Sequence, residues 1–269
     1  MANPKPSIRI SANPRGICPA HGDPIRIVPL KVPQELLGQK AAPAAAPQLT
    51  YRNGPLITNA EVFTIFWGPG WEQTPANNLV SEVNDFFSYI LTSPLIDQLA
   101  EYSVSDQTIG HGSFTGTVSV STPALSSSVS DAAIQHMLQQ LIATNTSVPQ
   151  PSQNTLYFIY VQPGTQVVQG GSASCKSFCG YHNDISNQIF YAVMPYPGCA
   201  GCTGSMDTFS ALTTTSSHEL CEAITDPIPG QGWYDDVNGE IGDICAWQTE
   251  QIGNYTVQQE WSNSANQCE

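Results

Sequence analysis

Charged residues and long apolar runs are both scarce in this chain of 269 residues. Only 11% of the residues are charged, and acids outnumber bases by 22 to 8, which gives a formal net charge of −14. A charge of this sign repels polyanions, so the composition argues against nucleic acid and anionic membranes as partners. No run approaches the roughly 20 apolar residues that cross a bilayer, so no membrane span is expected.

Several signatures of function are missing as well. The chain has no glycine-rich phosphate loop, no G-x-S-x-G nucleophile elbow and no evident cysteine–histidine nucleophile pair. The first residues lack the apolar segment of a signal peptide. The many uncharged polar residues (Ser, Thr, Asn and Gln) are nevertheless typical of an exported protein. We therefore predict an extracellular protein in which no signal peptide is visible.

Cysteine is concentrated toward the C-terminal end of the chain. Of the eight cysteines, seven lie after residue 170: Cys175, Cys179, Cys199, Cys202, Cys221, Cys245 and Cys268. This density favours disulfide bonds in an oxidising compartment. The alternative is a structural zinc site made from the Cys-x3-Cys pair at 175–179 and the Cys-x2-Cys pair at 199–202.

The chain divides into a tail and a domain. Residues 1–48 are rich in proline, include a low-complexity segment at 41–47, and predict a flexible N-terminal tail. Cys18 within this tail is a candidate thiolate plug for an open zinc site.

Residues 49–269 alternate between strand-like and helix-like patterns. Strands are predicted at 55–68, 104–121, 154–161, 188–194 and 255–261, and helices at 75–101, 126–143 and 207–225. The predicted class is α/β (or α+β). We expect a single zincin-like domain whose mixed sheet packs on helices and whose C-terminal part is stapled by disulfides or a metal.

The strongest chemical signal is the segment SHELCE at 217–222, inside the third predicted helix. Residues i and i+4 project from one helix face, so His218 and Glu222 can hold one ion between an imidazole nitrogen and a carboxylate oxygen. Glu219 lies about 100° around the helix from His218, where it can take a proton from a water bound to that ion. The pattern is the H-E-x-x-H metalloprotease helix with glutamate in place of the second histidine, which zinc accepts.

A catalytic zinc site needs a third protein ligand, and the acidic loop at 232–243 offers several. Asp243 and Glu240 are the leading candidates. Tyr234 is a candidate to donate a hydrogen bond to a developing oxyanion. Because the chain has so few charges, this concentration of acids beside a histidine favours a functional site over a chance match.

Three alternatives stay open. The pattern H-E-x-x-E is short, so His218 could be a hydrogen-bonded core histidine with Glu219 and Glu222 on a solvated face. The oxygen ligands of the acidic loop could bind calcium, although their order does not follow the EF-hand. His182 either contacts a ligand or substrate near the site or supports a disulfide-bonded loop.

Several motifs occur in an order that resembles one known family. They lie at 49–56, 66–68, 178–182, 196–202, 217–227, 232–234 and 240–245. This order is similar to the EXORDIUM or phosphate-induced proteins of plants and their bacterial and fungal relatives. The resemblance implies a secreted, cell-wall-associated protein linked to growth, without a settled biochemical activity. Many plant members lack the residues at His218 and Glu219, whereas this chain keeps both.

From these residues we predict a secreted zinc-dependent hydrolase, in the form of a metallopeptidase that uses a metal-bound water on a peptide or protein substrate. His218, Glu222 and one of Asp243 or Glu240 would bind zinc, and Glu219 would be the general base. The alternative is a non-enzymatic secreted or cell-wall-associated protein in which the same residues hold a structural zinc or calcium ion.

Overall fold

A computed structural model of the protein describes residues 46–269. Most of the predicted tail, including Cys18, lies outside the described residues. The α-helices run over Ala76–Ile90 (α1), Pro94–Gln98 (α2), Asp131–Thr144 (α3), Ala200–Thr203 (α4), Thr208–Thr225 (α5) and Ile241–Ile244 (α6). Short 3-10 helices at Pro69–Glu72 and Leu99–Tyr102 precede α1 and follow α2.

The strands form one main sheet and several small ones. In chain order they are Thr50–Tyr51 (β1), Glu61–Trp67 (β2), Ser113–Val120 (β3), Ser128–Ser130 (β4), Thr155–Val161 (β5), Gln166–Gln169 (β6), Ser172–Ala173 (β7), Tyr181–Ile185 (β8), Ile189–Pro195 (β9), Trp233–Tyr234 (β10), Thr249–Ile252 (β11), Tyr255–Gln258 (β12), Trp261–Ser262 (β13) and Gln267–Cys268 (β14). The main sheet has the order β3-β2-β5-β9-β8. Its first four strands are parallel, and β8 runs antiparallel to β9 at the edge.

Helices cover both faces of the main sheet. Strand β5 reads TLYFIYV and is buried along its whole length, as expected for a parallel strand enclosed on two sides. Phe158 and Tyr160 belong to the core shared with α1 and α5, whereas Tyr157 and Ile159 belong to the core shared with α3. This alternation produces three layers, with α1 and α5 on one face and α3 on the other.

These observations confirm the predicted class, a mixed α/β fold with a sheet packed on helices. The strands predicted at 154–161 and 188–194 are β5 and β9, and the third predicted helix is α5. No helix within residues 46–269 is long and apolar enough to cross a membrane.

Two predicted helices have different bounds, for local reasons. The helix predicted at 75–101 ends at Ile90, and a second helix, α2, begins after Ser93. The Ser93 hydroxyl accepts a hydrogen bond from Leu95 N as the N-cap of α2, and Pro94 cannot continue α1 because it lacks an N–H group. The helix predicted from residue 126 begins only at Asp131, where the Ser130 hydroxyl accepts a hydrogen bond from Ala133 N. Of the strands predicted over 104–121, only β3 is formed, and the edge strand β8 was not predicted.

Three disulfide bonds confirm the preferred interpretation of the cysteines. They join Cys175 to Cys199, Cys179 to Cys202 and Cys245 to Cys268. The four sulfurs of the alternative zinc site are consumed in the first two bonds, so they are not available as thiolate ligands. The prediction for Cys221 is wrong: its thiol is buried among the apolar residues of α5 and forms no disulfide within the described residues.

The Cys245–Cys268 bond should be a major source of stability, because it ties the end of α6 to β14 across a separation of 23 residues. Closing a loop of this size restricts the unfolded chain by about 3 kcal/mol. We expect Cys245→Ala/Cys268→Ala to lose about 3 kcal/mol of unfolding free energy in urea. The control Cys221→Ala keeps all three disulfides and should lose no more than about 1 kcal/mol. Equal losses in the two proteins would contradict this role.

Candidate metal centre

Helix α5 carries the predicted motif and is flanked by Asp207 before its first turn and Asp226 after its last turn. The Asp207 carboxylate accepts a hydrogen bond from Ser210 N at 2.7 Å, which confirms the predicted N-cap. After the last turn, the Asp226 carboxylate accepts hydrogen bonds from backbone N–H groups at residues 230, 231 and 232. These bonds form the turn after which the acidic loop returns to α5.

His218 lies between Glu222 and Gln258 and is 1% exposed. Its Nε2 atom is 3.1 Å from Glu222 Oε1, which is the predicted contact across one helical turn. Its Nδ1 atom is 2.7 Å from Gln258 Nε2, and the same amide nitrogen donates to Gly242 O at 2.9 Å. Gln258, at the end of β12, therefore fixes the plane of the His218 ring.

Strand β8 brings His182 to the same helix. Its Nδ1 atom lies 3.3 Å from Glu219 Oε2 and 3.5 Å from Glu222 Oε2. On the other side of the ring, Nε2 donates to the backbone oxygen of Asp226 at 3.1 Å. His182 is completely buried, so it is a member of the cluster around α5 and does more than support the neighbouring disulfide-bonded loop.

The segment around the start of α6 contributes the two candidates for a third ligand. A carboxylate oxygen of Asp243 lies within 4.8 Å of ligand atoms of His218 and Glu222. The Asp243 backbone N–H also donates to Glu222 Oε1 at 3.1 Å. Glu240 lies on the other side of the cluster, with Oε1 at 3.6 Å from His182 Nε2. Asp243 therefore approaches His218, and Glu240 approaches His182.

Two overlapping sets of ligand atoms result. One consists of His218, Glu222 and Asp243, and the other of His182, Glu219 and Glu222; within each set the atoms lie within 4.8 Å of one another. Imidazole nitrogen combined with carboxylate oxygen suits zinc and other divalent transition metals. The described residues can thus hold a metal ion, as predicted, although these donors leave its identity open.

The sequence-based interpretation missed two residues of this cluster, Gln258 and Glu260. Glu260 is fully buried, and neither of its carboxylate oxygens accepts a hydrogen bond from the part of the chain that the structure describes. Burial raises the pKa of Glu260 well above its ordinary value, which favours the protonated form. The sequence offers little signal for either residue, because the segment VQQEW at 257–261 is mostly polar.

Burial and mutual contact set the protonation of the central groups. Burial alone lowers the pKa of His182, but hydrogen bonds with Glu219 and Glu222 raise it to about 10. Burial also raises the pKa of Glu219. For Glu222, burial is outweighed by the charge of His218 and by the close contacts with both histidines, which lower its pKa. These directions describe an ionised Glu222 beside a protonated His182, and a Glu219 that takes up a proton more readily than an exposed glutamate.

The other acids of the loop stabilise the loop itself. The Asp235 carboxylate accepts hydrogen bonds from the backbone of Gln48 at 2.7 Å and Asn238 at 2.8 Å. Asp236 is exposed and pairs with Arg52 at 2.6 Å. Asp236 faces solvent while Glu240 is buried, so these two candidate calcium ligands of the acidic loop do not share one site.

Tyr234 and the other histidines occupy different places. The Arg52 guanidinium lies 4.1 Å from the centre of the Tyr234 ring, and the Tyr234 backbone pairs with Thr50. The oxyanion role of Tyr234 stays a prediction. His111 is exposed and pairs with Asp97 at 2.8 Å, and His136 is exposed on α3.

Comparison with models of known protein families and with curated proteins gives no match for this chain. The resemblance to the EXORDIUM proteins therefore stays a prediction that depends on the ordered motifs. The function has to be argued from the geometry of the cluster.

Gly242 makes room for the His218 ring, because a Cβ atom at this position would lie 2.5 Å from His218 Nδ1. Both atoms are held by backbone or ring geometry, so Gly242→Ala should displace the imidazole from Glu222. We expect at least a tenfold loss of zinc affinity, measured by titration with a fluorescent zinc chelator. Gly198→Ala is the control, because its Cβ would come no closer than 3.9 Å to any atom and its φ lies outside the left-handed region. Unchanged affinity in Gly242→Ala would place the metal away from His218.

The unfolding free energy of the protein should depend on pH through Asp235. Burial raises its pKa, but the hydrogen bonds that it accepts outweigh this effect and lower the pKa below the ordinary value. A lowered folded-state pKa stabilises the fold above the unfolded-state pKa of about 3.9, and this contribution is lost as the pH falls through the folded-state pKa. We expect Asp235→Asn to lose about 1–2 kcal/mol at pH 7, with a smaller difference in acid. Urea unfolding at several pH values tests this, with the exposed Asp236→Asn as control.

Proposed function

We propose that the buried cluster binds a divalent cation, with zinc as the first choice, through His218, Glu222 and Asp243. The observation that carries this proposal is the convergence of imidazoles and carboxylates from several segments in an interior closed to water. Buried carboxylates are costly unless an opposite charge compensates them, and a cation provides this charge. The donor set is one that zinc accepts.

We also propose that this ion serves hydrolysis, with Glu219 as the general base. Glu219 Oε2 faces His182, whereas Oε1 accepts no hydrogen bond within residues 46–269. An oxygen without a hydrogen bond beside the ligands of a cation is suited to take the proton of an attacking water. His182 keeps the Glu219 carboxylate in place, and the ion, when bound, would polarise the bond to be cleaved. A third ligand that follows a turn after the active helix also supports a zincin-like arrangement.

The substrate class that we propose is a peptide. Among the described strands, β8 pairs only with β9, so it is an edge of the main sheet. A cavity of about 410 Å³ lies between residues 183–187, next to His182, and the turn at 228–231 that follows α5. Extended peptides add to such sheet edges through backbone hydrogen bonds. We further propose secretion, which the three disulfides and the EXORDIUM resemblance support.

One observation favours a second candidate, a non-enzymatic protein with a structural ion. His182, His218, Glu219 and Glu222 are at most 1% exposed, and none of them lines the cavity beside β8. A structural ion needs no path for substrate, whereas a catalytic ion does. In this case the ion would stabilise the packing of α5, β8 and α6.

Glu219→Gln separates the two candidates. For a hydrolase, we expect the variant to keep its fold and the zinc at His218, and to lose peptidase activity by about 10²- to 10⁴-fold. Zinc content by mass spectrometry and cleavage of a fluorescent peptide library provide the two measurements. Glu82→Gln, an exposed glutamate on α1, is the matched control and should stay fully active.

The structural candidate predicts a different result. Neither the native chain nor Glu219→Gln would cleave peptides, and removal of zinc with a chelator would lower the melting temperature of both. Full activity in Glu219→Gln would show that another group is the base. A native chain that binds no zinc, manganese or calcium would contradict both candidates.

A further inference from the structure

Glu222 places its two carboxylate oxygens against two different histidines. Oε1 lies 3.1 Å from His218 Nε2, and Oε2 lies 3.5 Å from His182 Nδ1. Both rings and the carboxylate are at most 1% exposed. A carboxylate in this orientation can bridge two cations, with one on each oxygen.

A contact on the far side of the His182 ring prepares this residue to be a ligand. Its Nε2 atom lies 3.1 Å from the backbone oxygen of Asp226, and a carbonyl oxygen can only accept a hydrogen bond. In the neutral ring, Nε2 therefore carries the hydrogen and Nδ1 carries the lone pair. Histidine ligands of metals commonly donate their second N–H to a backbone carbonyl in this way. The Nδ1 atom faces Glu219 and Glu222.

One oxygen of Glu222 faces His182 without a hydrogen bond. In the part of the chain that the structure describes, Glu222 Oε2 is shielded from water, lies 3.5 Å from His182 Nδ1 and accepts no hydrogen bond. Buried polar atoms in folded proteins almost always have a partner, and a cation is one kind of partner. Glu219 and Glu222 both belong to the set of ligand atoms that includes His182.

Charge also favours an ion beside His182. Glu219 and Glu222 are both fully buried next to this histidine. Histidines must be neutral to bind a metal, so they cannot balance these two carboxylates once an ion is bound. Uncompensated charge in a dry interior is strongly destabilising, and a cation at this position would compensate it.

We propose that His182, Glu219 and Glu222 form a second cation site, so that the centre binds two divalent ions bridged by Glu222. This inference rests on the proposed function, which itself requires only the ion at His218. Glu219 binds through Oε2 and keeps Oε1 to accept a proton. Two ions that share a carboxylate stabilise both the attacking and the leaving group in hydrolysis.

The metal positions at His182 and His218 differ in how far the neighbouring side chains must move before an ion can bind. Gln258 Nε2 donates to His218 Nδ1 and to Gly242 O, so the neutral His218 ring carries its hydrogen on Nε2. His218 becomes a ligand through Nε2 when the Gln258 amide turns and presents its oxygen to Nδ1. His182 needs no such change. The site at His182 therefore binds its ion more tightly.

Titration of the chelator-treated full chain with Mn²⁺, followed by electron paramagnetic resonance, tests the second site. We expect two ions per chain and a six-line manganese signal that broadens as the second ion binds, because bridged ions couple magnetically. His182→Gln should bind one ion with weaker affinity and an uncoupled signal. His218→Gln should also bind one ion, but with the tighter affinity. His136→Gln, an exposed histidine, should match the native chain.

The outcomes separate this inference from the proposed function. One ion per native chain that persists in His182→Gln overturns the second site and leaves the ion at His218. Two ions without magnetic coupling overturn the bridge. No bound Mn²⁺ or Zn²⁺ overturns both. If melting shows that His182→Gln does not fold, Glu219→Ala replaces it, with the same expected loss of one coupled ion.

Discussion

The structure depends on how a dry interior compensates the negative charge that helix α5 and its neighbours bring into it. Six carboxyl groups are buried there: Glu219, Glu222, Asp226, Glu240, Asp243 and Glu260. Backbone N–H groups of the following turn stabilise Asp226, and burial favours the protonated form of Glu260. Glu222 instead lies between the imidazoles of His182 and His218, which compensate its negative charge. A metal ion held by the cluster would extend the same compensation.

The covalent bonds lie where this cluster needs rigidity. Cys179, which pairs with Cys202, lies three residues before His182. Cys245, which pairs with Cys268, lies two residues after Asp243 and immediately follows α6. Both segments deliver side chains to α5 from distant parts of the sequence. Because buried acids oppose folding until they are compensated, cross-links close to the ligands limit the number of unfolded conformations that compete with the cluster.

The sequence predicts the local part of this site well. The His218–Glu222 contact follows from helix geometry, the Asp207 N-cap follows from its side-chain chemistry, and Pro227 stops the helix just after Asp226. The non-local part is harder to predict, because the pairing of β8 with β9 determines where His182 lies. Gln258 and Glu260 belong to a segment predicted only as a short strand, and no local pattern indicates that it packs on α5. Cys221 was misassigned because a count of cysteines does not reveal which thiols face the core.

Strand β8 connects the buried chemistry with the surface. Its residues alternate between the two faces of the sheet, so His182 faces α5 while Tyr181 and Ile185 belong to the core on the α3 side. A peptide paired with the outer edge of β8 would lie about 4.8 Å from it, within one strand spacing of the His182 backbone. The cavity beside this edge is bordered by the turn at 228–231, and none of the candidate ligands of the cluster lines it. A path for substrate to the ion would therefore have to open between this cavity and α5.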